Sequence, residues 1–144
     1  MKPKLLIVDD DEDIRSQMKW ALTRDYDVVM AEDRASAMTA FTEHRPMVVL
    51  LDLGLPPNPA DPTEGMATLS EITGVNACTK VIIATGQSEK SNALQAVGSG
   101  AYDFLCKPLQ MEELQIILKR AFHVAQLERE YHEMQQHLST DTFE

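Results

Sequence analysis

Five short apolar runs, with almost no polar residue alternating inside them, constrain this chain more than any other feature. They are Leu5-Leu6-Ile7-Val8, Asp27-Val28-Val29-Met30-Ala31, Met47-Val48-Val49-Leu50-Leu51, Lys80-Val81-Ile82-Ile83-Ala84 and Tyr102-Asp103-Phe104-Leu105-Cys106. A strand with one wet face alternates apolar and polar side chains. Uninterrupted runs suit strands covered on both faces, as in a parallel sheet. Between the runs the period becomes helical. Ile14, Met18, Ala21 and Leu22 share one face, with Asp11 or Asp13 available to cap it. Ala37, Met38 and Phe41 mark a second helix, ended by His44-Arg45-Pro46. Met66, Leu69 and Ile72 mark a third, ended near Gly74. Ala93, Ala96 and Val97 mark a fourth, ended by Gly98 and Gly100; a fifth follows Pro108. Strict strand–helix alternation predicts an α/β fold. Its doubly wound five-stranded parallel sheet, with right-handed crossovers, is the middle of three layers.

Two stretches depart from a minimal unit of this kind. Gly54 to Glu64 holds four of the seven prolines, which predicts a stiff loop. The last helix has no breaker from Gln110 to Leu138, roughly 29 residues or ~43 Å, longer than the sheet it covers. Its apolar positions Leu114, Ile117, Ala121, Val124, Leu127, Tyr131, Met134 and Leu138 are separated by 3, 4, 3, 3, 4, 3 and 4. The doubled three at Val124 is a phase break. The first half is therefore expected to pack on the sheet, and residues 123–144 to offer a separate seam for a coiled-coil homodimer.

Composition removes several function classes. With 13 Lys and Arg against 23 Asp and Glu the formal charge is −10, which leaves no electrostatic footprint for nucleic acid or an anionic membrane. Cys78 and Cys106 have no metal or redox spacing, and reduced thiols fit a cytoplasmic location. The apolar run at the N-terminus is too short for a signal peptide. No stretch approaches the ~20 apolar residues that span a bilayer.

In an open parallel sheet, functional groups gather where strands end at their carboxyl edge. Asp9 and Asp10 follow the first strand, Asp52 the third, Thr85 the fourth and Lys107 the fifth. Taken singly, each has a plainer reading: an acidic helix start, a turn cap, a strand end. Together they bring three carboxylates, a hydroxyl and an ammonium to one edge. Carboxylates at ~4 Å repel by about 4 kcal/mol per pair at an effective dielectric of 20. A hard divalent cation relieves that, and Mg²⁺ suits carboxylates, a carbonyl and waters. The chemistry implied is phosphoryl transfer to a carboxylate, with Asp52 the natural nucleophile. An aspartyl phosphatase would need Asp-x-Asp-Gly-Thr after the first strand, where this chain has Asp9-Asp10-Asp11-Glu12. A flavin-binding relative of the fold would need a Ser/Thr-rich loop there.

These residues also carry a resemblance. Leu5-Leu-Ile-Val-Asp9-Asp10-Asp11, Val48-Val-Leu-Leu-Asp52-Leu-Gly54-Leu-Pro56, Ile82-Ile-Ala-Thr85-Gly86 and Gly100-Ala-Tyr-Asp-Phe104-Leu-Cys-Lys107-Pro108 resemble the receiver domain of two-component response regulators over residues 1–122. The resemblance implies a flavodoxin-like α/β fold in which Asp52 accepts a phosphoryl group from a sensor histidine kinase. It implies Mg²⁺ bound by Asp9, Asp10, Asp52 and the Gly54 carbonyl, and a phosphoryl group contacted by Thr85 and Lys107. It further implies a cis peptide before Pro108 and a switch aromatic at Phe104 that turns inward when Thr85 moves. Such a domain is no enzyme beyond its own phosphorylation and dephosphorylation. The alternative is a degenerate receiver that only docks or dimerises. The loop after Asp52 is roughly five residues longer than the family's. Its wording, with Glu64-Gly-Met-Ala-Thr-Leu69, resembles NtrC-type activators of the sigma-54 polymerase linked to bacterial PEP-CTERM/exopolysaccharide systems. The ending Gln126-Leu-Glu-Arg-Glu-Tyr131 resembles the linker helix before their ATPase domain, which implies a fragment whose DNA contacts lie in absent domains.

Overall fold

The computed structural model describes residues 2–142, and side chains as far as Gln136. The five apolar runs form one sheet. Its strands are β1 (Lys4–Val8), β2 (Asp27–Ala31), β3 (Val48–Asp52), β4 (Lys80–Thr85) and β5 (Asp103–Cys106), all parallel, in the order β2-β1-β3-β4-β5. The crossovers carry α1 (Glu12–Leu22), α2 (Arg34–His44), α3 (Thr63–Val75) and α4 (Lys90–Gly98); α5 (Met111–Thr142) follows β5.

Alternate residues of each inner strand enter two different cores. Leu6, Val8, Val49, Leu51, Val81 and Ile83 pack with Phe41 of α2, Leu69 and Ile72 of α3 and Ala93 and Ala96 of α4. Leu5, Ile7, Val48, Leu50, Ile82 and Ala84 pack with Met18 and Leu22 of α1 and Leu114, Leu118 and Ala121 of α5. Two cores around one sheet make three layers, and explain why the runs do not alternate with polar residues. Each fully buried Leu or Ile contributes about 1.5–3 kcal/mol. The two edge strands are the exceptions: Val28, Val29 and Met30 of β2 are only half-buried, and in β5 only Leu105 is buried.

The helix starts follow local chemistry. Asp11 caps α1, its carboxylate accepting from the N–H groups of Asp13 at 2.9 Å and Ile14 at 3.4 Å. Asp33 caps α2 through a reciprocal box with Ser36, which the sequence reading did not anticipate because Ser replaces the usual Glu or Gln. The Pro-rich loop ends at Pro62 and not at Glu64: Thr63 and Glu64 already form the first turn of α3. A proline just ahead of a helix has no N–H to lose and a φ suited to the start, here −79°. Arg34 ties α2 to α3 through Glu64, at 3.1 Å, and Glu71. These groups are about 30–40% exposed, so solvent screens both pairs strongly.

Helix α5 does two jobs along its length. Leu114, Ile117, Leu118, Ala121 and Ala125 are buried against the sheet, and Phe122 stacks on Tyr26 with ring centroids 5.0 Å apart. The sheet-facing stripe therefore leaves through Ala125, and Val124, placed on the apolar seam by the sequence reading, is only half-buried. Lys80 of β4 pairs with Glu128 of the helix. From Leu127 onward the seam residues Leu127, Tyr131 and Met134 are 50%, 59% and 63% exposed. Leu138, the last expected seam position, lies outside the described side chains. No helix among the described residues is long and apolar enough to cross a membrane.

Candidate functional site

Strand register brings four of the five expected side-chain positions together, and Asp10 follows Asp9 directly in the chain. Val8 pairs with Leu51, so Asp9 and Asp52 are each one residue past a paired couple. Asp52 pairs with Ala84, which puts Thr85 one step on; Thr85 pairs with Cys106, which puts Lys107 one step on again. Asp52 and Thr85 are the last residues of their strands and not the first of the loops, so their backbones share the sheet's rigidity. The Asp9 N–H donates to the Ala31 carbonyl at 3.1 Å and the Lys107 N–H to the Thr85 carbonyl at 2.7 Å. The Lys107–Pro108 peptide is cis, as the resemblance implied, and Pro56–Pro57 is cis as well.

One carboxylate oxygen from each of Asp9, Asp10 and Asp52 lies within 4.8 Å of the others. Asp9 and Asp52 are 3% and 9% exposed, whereas Asp10 faces solvent. Lys107 Nζ stands 3.1 Å from Asp52 Oδ2 and 3.3 Å from Asp9 Oδ2. The remaining oxygens are oriented by backbone: Asp9 Oδ1 accepts from the Asp11 N–H at 2.9 Å and Asp52 Oδ1 from the Gly54 N–H at 3.0 Å. Burial pushes the Asp52 carboxyl above the usual aspartate range, although Lys107 and the Gly54 N–H pull the other way. Burial would lower the Lys107 ammonium, but Asp52 and Asp9 together outweigh it and hold the group above its ordinary value.

Three carboxylates against one ammonium leave a formal excess of two negative charges, the charge of one divalent cation. At ~4.8 Å the buried Asp9–Asp52 pair repels by about 3.5 kcal/mol at an effective dielectric of 20. The donors are hard oxygens, and their spread is close to the ~4 Å between opposite ligands of an octahedral Mg²⁺. The residues present therefore fit the ion that the resemblance implies. The carbonyl of Gly54, two residues past Asp52, is the backbone donor named with them.

Thr85 and Phe104, the pair that the resemblance implies as a switch, are less tightly held. The Thr85 hydroxyl is buried and donates to the carbonyls of Gly86 and Glu89 over 3.5 and 3.4 Å, both long. Phe104 is half-buried against the core beneath α4. Cys106, between them and Lys107, is a free thiol.

Two residues at the site escaped the sequence reading. Arg15 donates from Nη1 to the Asp9 carbonyl at 2.6 Å, fixing the backbone from the first turns of α1. Gly65 lets α3 lie directly on Leu53; an added Cβ would come within 2.7 Å of the Leu53 carbonyl carbon. Nothing in a single sequence separates such residues from ordinary surface arginines and helix glycines.

A five-stranded parallel sheet with an acidic cluster, a strand-end hydroxyl and a lysine before a cis proline at one edge defines a class of signalling domain. The chain belongs to the response regulator receiver domain family, whose description matches residues 5–119. It is 30% identical over 138 residues to the regulatory protein AtoC of Escherichia coli (strain K12), a match that spans 95% of this chain and 29% of AtoC. It is 31% identical over 116 residues to the chemotaxis protein CheY of Bacillus subtilis (strain 168), spanning 79% of this chain and 92% of CheY. Among solved structures, NtrX from Brucella abortus in complex with ADP superposes with a TM-score of 0.83 at 31% identity, over 93% of this chain and 30% of that one. The chain thus spans less than a third of AtoC and NtrX.

Proposed function

We propose that Asp52 is the phosphoacceptor of this receiver and takes its phosphoryl group from a sensor histidine kinase. The observation that carries the reading is the Asp52 carboxylate itself, nearly buried, 3.1 Å from Lys107 Nζ and clustered with Asp9 and Asp10. In the step, a carboxylate oxygen of Asp52 bonds to phosphorus as the phosphorus–nitrogen bond to the donor imidazole breaks, and the imidazole leaves with the electron pair. A bound Mg²⁺ would neutralise charge that builds on the phosphoryl oxygens. Asp9, Asp10, Asp52 and the Gly54 carbonyl would hold it. Lys107 pairs with Asp52 before transfer and with the new phosphoryl oxygens after it.

Transfer replaces the single charge of the Asp52 carboxylate with a phosphoryl group carrying up to two, a net gain of about one negative charge beside Lys107. The Thr85 hydroxyl, loosely held now, turns to the phosphoryl group, and Phe104 follows into the space it leaves. That change is read on the α4–β5–α5 face and along the exposed Leu127, Tyr131 and Met134 seam, where a second copy of the chain docks. The output is control of transcription from further domains of a sigma-54-dependent activator in the cytoplasm; the likeness to AtoC and NtrX supports it, and the wording of the Pro-rich loop supports the PEP-CTERM-type setting. The acidic receiver itself contacts no DNA. The test of the reading as a whole is oligomeric state by light scattering with and without a phosphate mimic plus Mg²⁺. Wild type changes mass and Asp52→Asn does not; an unchanged wild-type mass would remove the dimer switch.

A further inference from the structure

The segment that joins β3 to α3 runs from Leu53 to Pro62, and part of its backbone packs on the peptide beside Asp52. Leu55 is fully buried and anchors the near end. At the far end the Asp61 N–H donates to the Asn58 carbonyl at 3.0 Å, and the Asp61 carboxylate accepts from the Thr63 N–H at 2.7 Å. Pro57, Asn58, Pro59 and Ala60 are exposed, so no apolar gain holds this segment down. Yet it doubles back until the Pro59 carbonyl lies against Gly54. A Cβ on Gly54 would overlap the Pro59 oxygen, with the Pro59 carbonyl carbon at 3.4 Å and Asp52 Oδ1 at 3.8 Å. The φ of Gly54 lies outside the left-handed region, so only this contact excludes a side chain there. On the other side Gly65 of α3 lies on Leu53. Two successive residues after Asp52 are thus gripped, one by α3 and one by the loop.

We propose that the segment Pro57–Asp61 is a positioning element for the divalent-cation site, acting through the Pro59 carbonyl packed against Gly54. The inference rests on the metal reading above and adds to it a part that belongs to this chain's own loop. Mg²⁺ tolerates little departure from octahedral geometry, so a carbonyl donor must be fixed to a fraction of an ångström. Neither Pro59 nor its neighbours needs to touch the ion. Groups that orient metal ligands typically alter affinity by about 10–100-fold when lost.

The experiment is a double-mutant cycle read as Mg²⁺ affinity by calorimetry. The proteins are wild type, Gly54→Ala, a variant lacking residues 57–61, and the two changes combined, with Asp9→Asn as control. Metal-free melting temperature and circular dichroism are followed for each. Expected is a loss of about tenfold for Gly54→Ala in the full chain, a loss of similar size for the deletion, and little further loss when both are combined. Pro59→Gly, which frees the loop without adding an atom, gives an independent arm: weaker binding at an unchanged metal-free melting temperature. Wild-type affinity in the deletion variant, or an equal Gly54→Ala effect in both backgrounds, overturns the proposal while leaving the metal reading intact. Absence of Mg²⁺ binding by wild type, or full binding by Asp9→Asn, overturns the metal reading and this inference with it.

Discussion

Replacing Asp10 by asparagine should stabilise the metal-free protein and remove most of what Mg²⁺ adds. The Asp10 carboxylate oxygen lies within 4.8 Å of those of Asp9 and Asp52. At ~4.8 Å each pair repels by about 0.9 kcal/mol at the dielectric of water and about 3.5 kcal/mol at a value of 20. Asp10 is exposed, so the lower figure governs, and two pairs give about 2 kcal/mol. The N-terminus of α1, two residues on, favours an acid by about 0.3–1 kcal/mol and offsets part of this. The net expectation is about 1 kcal/mol, or about 3–5 °C in melting temperature for a domain of this size. Thermal melts at constant ionic strength, in chelator and in saturating Mg²⁺, read it directly. At ~100 times its dissociation constant Mg²⁺ adds about 2.7 kcal/mol to wild type. The variant, short of one donor, gains much less, so the order of the two proteins reverses between buffers. Equal melting temperatures in chelator together with equal increments in Mg²⁺ would refute the shared-charge account.

Other consequences can be checked separately. Gly65→Ala forces α3 away from Leu53 and should cost about 1–3 kcal/mol in urea denaturation, while an unchanged midpoint would deny the close contact. The Asp52 carboxyl titrates above its unfolded value, so its contribution to metal-free stability is complete below the ordinary aspartate range and is lost as pH rises through the raised value. Stability curves of wild type in chelator should therefore fall over that window relative to Asp52→Asn; parallel curves would contradict the burial argument. Joint replacement of Leu127, Tyr131 and Met134 by Glu should leave the monomer's melting temperature unchanged, because all three are exposed, yet abolish any activated dimer in light scattering. A dimer that survives these changes would place the contact elsewhere.

Much of the fold was legible because one physical pattern recurs. Runs such as Val48–Leu51 and Val81–Ala84 are apolar at successive positions, as a strand buried on both faces requires, and counting strand ends then located Asp9, Asp52, Thr85 and Lys107. The same logic was less informative at β2, where Val28, Val29 and Met30 form an equally apolar run but lie on an edge and are half-buried. Strand order, which decides this, depends on crossovers and not on any one run. Along α5, spacing captured the departure from the sheet but put it on Val124, because Ala125 is too small to stand out as a core residue until its surroundings are seen. The grip on Leu53 and Gly54 was not legible at all. It is made of backbone approaching backbone, and a glycine's letter does not say which neighbour needs the room.

Acceptance of phosphate by Asp52 is the claim on which the rest depends, and intact-protein mass spectrometry after incubation with a small-molecule phosphodonor tests it most directly. The account predicts one phosphoryl group per chain, on the peptide containing Asp52, formed with Mg²⁺, lost in chelator and absent from Asp52→Asn. No adduct on wild type, or the same adduct on Asp52→Asn, would contradict it.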